Sequence, residues 1–333
     1  MARAGRPLGG AHSDWRASIF PRLERHPLSD RPERQQDQSR RPGPRFTVIV
    51  PTFDRPAPLA ACVRALRALE RPGGTLEIVI VNDGGRPPAE DVVSAADDPT
   101  LELRVVEQRN AGPATARNTG AAAARGQWLA FTDDDCLPDA GWLTAFEAAL
   151  RATPDALVGG RTVNALPDSV FADTSQRLAD FVSSYFAGGA TGRFFTSNNL
   201  AVARDTFLAA GGFDTRFPFS AGEDRELGDR WSAQGRPSVT APDALVQHAH
   251  RLTARRFVRQ HFTYGRGAVA FRRVRAESGR PVRVDPAFYA RSLSYALRGG
   301  GVRAPARAAL TALAHAAYAA GLLYESRRTR SRS

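Results

Sequence analysis

The chain reads as an α/β protein: a Rossmann-like, mostly parallel sheet flanked by helices, followed by a helical C-terminal extension. Three observations predict this. Between residues 46 and 165, apolar runs of strand length alternate with runs of helical period. The strands are apolar nearly throughout, as strands covered on both faces are. Polar residues then gather where the strands end, and ligands bind beyond those carboxyl ends in open sheets of this kind.

Phe46–Val50 (FTVIV) is a buried strand that Pro51 ends, and Ala57–Leu69 sets Leu59, Val63, Leu66 and Leu69 on one helical side. Leu76–Val81 (LEIVIV) is a second strand, closed by Asn82-Asp83-Gly84-Gly85 and followed by a weak helix over Ala89–Ala96. Leu101–Glu107 is a third strand, Pro113–Ala124 a helix, and Gln127–Thr132 a fourth strand that runs into Asp133, Asp134 and Asp135. Beyond it the alternation weakens. Ala156–Val163 and Phe194–Ala203 read as strands, Ser169–Tyr185 as a helix, and Ala244–Gln247 as a strand. A helix with a basic face spans Leu252–Arg273, and helical segments continue from there. The chain therefore divides into an Arg/Pro-rich tail (1–45), an α/β domain (46–250) and a basic helical extension (251–333).

Length and composition fit a buried core, with 333 residues, 42% hydrophobic and 24% charged. The net charge of +12 belongs to the ends. Residues 1–45 hold ten Arg against five acids, residues 251–333 eighteen Arg against three, and residues 46–250 carry 18 basic against 26 acidic side chains. An acidic folded module argues against nucleic acid as a partner. Basic ends suit anionic lipid headgroups or acidic partners, and so peripheral membrane contact. Two cysteines, Cys62 and Cys136, make no disulfide framework and point to a reducing, cytoplasmic setting. Residues 1–45 lack an apolar signal-peptide core and read as disordered. Ala308–Tyr324 is short and Ala-rich for a membrane span and reads as a packed or interfacial helix.

Three constellations carry chemistry. Asp133, Asp134 and Asp135 stand together at a strand end, where mutual repulsion and lost solvation call for a cation. Oxygen-rich ligation suits Mg²⁺ or Mn²⁺, ions that bridge to phosphate oxygens. A solvated acidic turn ahead of a helix starting near Asp139 is the alternative. In Asn110–Gly120 (NAGPATARNTG), Gly112 and Pro113 open a helix whose free N–H groups favour an anion, and Arg117 one turn in can reach a phosphate or base edge, or simply face solvent. In Ser220–Trp231 (SAGEDRELGDRW), Leu227 and Trp231 fix one face inward, leaving Glu223 and Asp224 at the helix start, either as caps or as a proton acceptor. Finally, His248 and His250 end a strand; they face the same way if the strand continues and opposite ways if it breaks between them.

VIVPTFDRP, VNDGG, NAGPATARNTG, FTDDDCLPD, SNNLAVARDTFLAAGGFD and GEDRELGDRW, in this order, resemble the inverting family 2 glycosyltransferases of GT-A fold over about residues 46–250. The resemblance implies a nucleoside-diphosphate sugar (UDP-, GDP- or dTDP-linked) bound across the strand ends. Thr52 and Asp83 match positions at the base and ribose, with Pro51 and Asp54 close by, and Arg117 matches one near the nucleotide. Asp133 and Asp135 match the ends of the Asp-x-Asp motif at ribose and metal, with Asp134 between them at the donor. Asp224, preceded by Glu223, matches the catalytic base, and His248 or His250 a histidine near metal and diphosphate.

The resemblance further implies a metal-dependent, inverting transfer to an acceptor hydroxyl, free or lipid-linked, in cell-envelope, glycolipid or natural-product glycosylation. The Gln-x-x-Arg-Trp motif of processive synthases is absent, which favours transfer of a single sugar. A nucleotidyltransferase and a non-catalytic membrane-associated binding module are the alternatives. PTFDRP lacks the glycine-rich loop expected of the former.

Overall fold

The computed structural model describes residues 44–72, 75–92, 101–186, 193–217, 219–282 and 285–331. They belong to one compact unit, Gly43–Ser333. The tail expected over 1–45 lies outside the described residues up to 43. Arg45 itself belongs to the folded unit: its carbonyl accepts from Trp128 N at 3.0 Å and its guanidinium pairs with Glu147.

The first half is a parallel sheet of β1 (Phe46–Thr52), β2 (Leu76–Asn82), β3 (Leu101–Glu107) and β4 (Trp128–Thr132), in spatial order β3-β2-β1-β4. The period-two alternation of strand side chains sorts their apolar residues onto two faces. Val48, Val50, Ile78 and Ile80 meet Leu59, Cys62 and Val63 of α1 (Pro56–Arg67). Ile49 faces the other way and meets Ala114 and Ala121 of α3 (Pro113–Ala123), while Val79 and Val81 meet Ala116. Helix α2 is short (Ala89–Val92); the rest of the helix expected to Ala96 lies outside the described residues. One buried charge interrupts the apolar pattern. Glu77 is held by Thr47, by Arg125 N at 2.8 Å and by Arg104 at 2.7 Å, so its lost hydration is replaced.

Pro51 does not end the first strand, because β1 continues through Thr52, with Pro51 opposite Val81. Thr52 O accepts from Asp83 N on the β2 side, so the neighbouring position 51 faces β4. The β1–β4 ladder stops at Ile49, and the missing N–H of Pro51 falls where no partner strand needs it.

The second half mixes directions. β5 (Cys136–Pro138) leads to α4 (Trp142–Ala152), β6 (Leu157–Asn164), α5 (Val170–Phe186), β7 (Asn199–Ala203), α6 (Arg204–Ala209), α7 (Glu223–Ala233) and β8 (Ser238–His248). β7 lies antiparallel to β4 and β6, β8 is parallel to β6, and β5 closes the edge antiparallel to β8, extending the sheet to eight strands. The strand expected over Phe194–Ala203 is thus only its second half. Asn199 N turns back to Thr196 O at 3.2 Å and Thr196 Oγ1 bonds Asn198 Oδ1 at 2.7 Å, a turn that competes with strand pairing. The helix expected near Asp139 begins at Trp142, because Cys136–Pro138 pair with Val246–His248 first.

Three helices complete the unit: α8 (Ala254–Glu277), α9 (Ala287–Leu297) and α10 (Ala304–Arg330). Leu252, Phe257 and Ala314 form a satellite core with Phe171 and Leu178 of α5. The α8–α10 crossing is close enough that a Cβ on Gly265 would stand 2.0 Å from Tyr318 O. Asp229 of α7 pairs with Arg275 of α8 and with Arg280 at 2.9 Å, tying the acidic helix to the extension. Among the described residues no helix is long and apolar enough to cross a membrane.

Candidate active site

The three aspartates after β4 diverge: Asp133 takes Arg117, Asp134 and Asp135 share Arg55, and Asp135 also meets His248. Asp133 Oδ1 lies 2.7 Å from Arg117. Asp134 turns into the sheet, accepting from Thr52 Oγ1 at 2.8 Å and pairing with Arg55 at 2.8 Å. Asp135 Oδ2 lies 2.6 Å from Arg55 and its Oδ1 3.3 Å from His248 Nε2. Divergence relieves the repulsion that the sequence poses, and the surroundings then set Asp134 and Asp135 apart. Burial, aided by the Asp135 charge, outweighs Arg55 and pushes Asp134 up to about 7. Burial opposes the Asp135 carboxylate too, but the hydrogen bond and charge of His248, with Arg55, hold it well below the usual range. His248 rises in return, against its burial, because of Asp135.

The histidine pair settles by geometry. β8 ends at His248, yet the two rings stack with centroids 4.8 Å apart and 23° between planes, so they share a side. His248 touches Asp135; His250 is pushed down to about 4, by burial and by His248.

Arg117 is 1% exposed, so it is neither a surface cation nor free to meet a phosphate directly. Its guanidinium is shared between Asp133 and Glu223, the latter at 3.1 Å. Glu223 is 2% exposed, its Oε2 has no partner, and burial with the adjacent Asp224 raises it to about 7. Asp224 Oδ1 accepts from Arg225 N at 2.7 Å and a backbone bond comes from Ser197; burial still pushes its pKa up.

A cavity of about 710 Å³ brings together Asp133, Asp135, His248, His250, Glu223 and Asp224. Pro51, Thr52, Asp54, Asp83, Arg117 and Asp134 are outside its lining. Asp83 lies at the end of β2 and accepts from Ala111 N at 2.8 Å, Gly112 N at 2.9 Å and Gln108 Nε2 at 2.7 Å. The N–H groups at the α3 start, expected to receive a ligand anion, therefore hold a carboxylate of the chain itself. Asp54 takes a left-handed backbone (φ 52°) and accepts from Arg86 N at 2.7 Å.

The donor set fits a divalent cation. Among the described residues, Asp135, Cys136 and His248 offer ligand atoms within 4.8 Å of one another. Burial raises the Cys136 thiol well above its ordinary range, so it stays protonated and is a poor ligand for a hard ion. An ionised Asp135 and the imidazole of His248 remain, and the partly exposed carboxylate of Asp133 lines the same cavity. Carboxylate oxygen with one imidazole suits Mn²⁺ better than Mg²⁺, whose preference is for oxygen alone.

Four contributors escaped the sequence reading. Arg55 bridges Asp134 and Asp135; it sits in VIVPTFDRP, but nothing in spacing links it to aspartates some eighty residues on. Ser197 and Asn198 reach the cavity from the turn before β7. Arg225 lines it beside Asp224, and its position in the acidic helix was the available signal.

A mostly parallel sheet whose carboxyl edge meets an acidic rim and a carboxylate-bearing helix defines the GT-A class of α/β proteins. Residues 47–210 match the model of Glycosyl transferase family 2, and the chain belongs to that family. It is 30% identical over 236 residues to the pre-mycofactocin glycosyltransferase of Mycobacterium tuberculosis, covering 67% of this chain and 46% of the relative. It is 25% identical over 299 residues to the validoxylamine A glucosyltransferase of Streptomyces hygroscopicus subsp. limoneus, covering 77% of this chain and 65% of the relative. The chain thus spans less than half of the mycobacterial relative. Among solved structures, the mannosyltransferase PcManGT of Pyrobaculum calidifontis, in complex with GDP-Man and Mn²⁺, superposes with a TM-score of 0.60 at 21% identity, covering 85% of this chain and 87% of that one. That likeness is one of fold.

Proposed function

We propose that the protein is an inverting glycosyltransferase that moves one sugar from a nucleoside-diphosphate sugar to an acceptor hydroxyl. The observation that supports this most directly is that Asp224 shares one cavity with Asp133, Asp135 and His248. A carboxylate for the acceptor proton and ligands for a cation at the diphosphate thus face the same space.

In this reading Asp135 and His248, with Asp133, would hold Mn²⁺ or Mg²⁺, and the ion would supply positive charge that favours departure of the diphosphate. Thr52 and Asp83, with Pro51 and Asp54 close by, form the base and ribose side, and Asp134 steadies that side through Thr52. Asp224 accepts the proton of the acceptor hydroxyl as the oxygen attacks the anomeric carbon from the face opposite the leaving diphosphate, so configuration inverts. Its raised proton affinity, a result of burial, suits that role near neutral pH. Arg117 positions Glu223 and Asp133 rather than touching the donor. The names of these two relatives suit natural-product glycosylation.

The C-terminal helices bring the enzyme to an anionic surface on the cytoplasmic side of the membrane. Leu323 and Tyr324 are exposed beside Arg327 and Arg328 on α10, an apolar-and-basic edge suited to lipid headgroups. Flotation with anionic liposomes at low and high salt tests this; protein that stays at the bottom at low salt overturns it.

The catalytic reading is tested with a donor panel in the presence and absence of Mn²⁺. Release of nucleoside diphosphate is expected, and Asp224→Asn should lower turnover by about 10²–10⁴-fold while donor affinity is kept. Release of pyrophosphate, or an Asp224→Asn enzyme of unchanged turnover, refutes it.

A further inference from the structure

The cavity has two chemically different ends. One carries the carboxylates and His248. The other is walled by α5, α7, α8 and α10 and lined by rings and cations, among them Phe186, Phe271, Tyr318, Arg225 and Arg272. The Arg225 guanidinium packs on two rings, its Cζ 4.5 Å from the centre of Phe186 and 4.6 Å from that of Phe271. Among the described residues its side chain makes no hydrogen bond and no ion pair, whereas Arg275 beside it is satisfied by Asp229. The carboxylate of Asp285 also lines this end but is taken by the Tyr185 hydroxyl.

Arginine cannot shed its proton to relieve such an environment. Rings packed on the guanidinium take none of its N–H groups, which receive a phosphate or carboxylate in paired bonds. Two buried polar atoms without partners, Gln260 Oε1 and His261 Nε2, belong to residues in the same lining, as expected of a surface shaped for an absent polar ligand.

We propose that this end is the acceptor subsite, and that it takes a hydroxyl acceptor with an apolar body and one anionic group, phosphate or carboxylate, received by Arg225. The assignment rests on the glycosyltransferase reading of the same cavity. Asp224 and Arg225 are adjacent at the start of α7, so an acceptor anchored on one is delivered to the other. The rings accommodate the body, and Arg272 adds a second positive charge.

The test is calorimetric titration of the full chain with two matched pairs: 4-hydroxybenzoate against 4-hydroxybenzamide, and farnesyl phosphate against farnesol in detergent. Each pair is run on the wild type, Arg225→Gln and Arg225→Lys. The wild type should prefer the anionic member of at least one pair by about tenfold or more. Arg225→Gln should reduce that preference to within about twofold, and Arg225→Lys should keep part of it. Preference in the benzoate pair alone identifies a soluble acid as acceptor; preference in the farnesyl pair identifies a lipid phosphate. Absence of any charge preference in the wild type, which needs no variant to fold, overturns the proposal, as does a full preference retained by Arg225→Gln. A separate titration with GDP, UDP and dTDP plus Mn²⁺ keeps the two readings apart. Failure there removes the glycosyltransferase reading, while the anion preference is still measured.

Discussion

Arg117 Nη1 stands 3.1 Å from Glu223 Oε1, joining the helix after β3 to the helix that carries Asp224. The same guanidinium holds Asp133 at 2.7 Å, so one buried cation fixes the distance between the acidic motif and the helix of the proposed base. Catalytic groups on separate elements need such a tie, because small misplacements are costly in rate.

Removing that cation leaves two carboxylates facing each other without compensation. Arg117→Met should cost about 3–5 kcal/mol of stability, measured by chemical denaturation, since breaking a buried pair strands its partners. A loss below about 1 kcal/mol would show that water already screens the site.

His248 and His250 should separate cleanly by function. His248→Ala should weaken Mn²⁺-dependent nucleotide binding by about tenfold or more in calorimetry, while His250→Ala changes it much less. His248 contacts Asp135, and His250 meets that carboxylate only through the stacked ring. Equal effects of the two substitutions would reject His248 as the ligand.

Glu223 gives a pH signature with a definite sign. Its folded pKa, raised to about 7 from an ordinary carboxyl value near 4.5, means the folded state holds the proton more tightly. Its stabilising contribution is therefore complete at low pH and is lost as pH rises through about 7. Glu223→Gln should flatten the fall in melting temperature between about pH 5 and pH 8. Parallel curves for the two proteins would place the titration elsewhere.

Gly267 of α8 faces the loop leading into α7, where an added Cβ would stand 2.2 Å from Ala221 O. Gly267→Ala should destabilise by about 1–3 kcal/mol, although alanine favours helix by about 1 kcal/mol at an unobstructed site. Turnover should fall as well, because the displaced loop carries Gly222 and the start of α7. A more stable variant would mean that the crossing is looser than drawn.

Much of the first half was legible because local rules agree there. FTVIV, LEIVIV and LELRVVE are β1, β2 and β3 nearly to the residue: the first two announce themselves as buried apolar runs, and the third, a half-buried edge strand, by its place between helical periods. Legibility failed where a tertiary contact overrode a local one. Pro51 stays in its strand because the neighbouring strand has already ended, and Phe194–Asn198 leave theirs because Thr196 and Asn198 bond each other.

The sequence alone determined that carboxylates would collect at the carboxyl edge of a sheet, because strand polarity and helix alternation send the ends of the first four strands to one side. It could not determine which of them would be ionised, shared or hidden. Asp133, Asp134 and Asp135 are identical in chemistry and adjacent in the chain, yet they diverge toward Arg117, Thr52 and His248. Those partners come from distant segments, and charge in a buried site is set by what surrounds it in space.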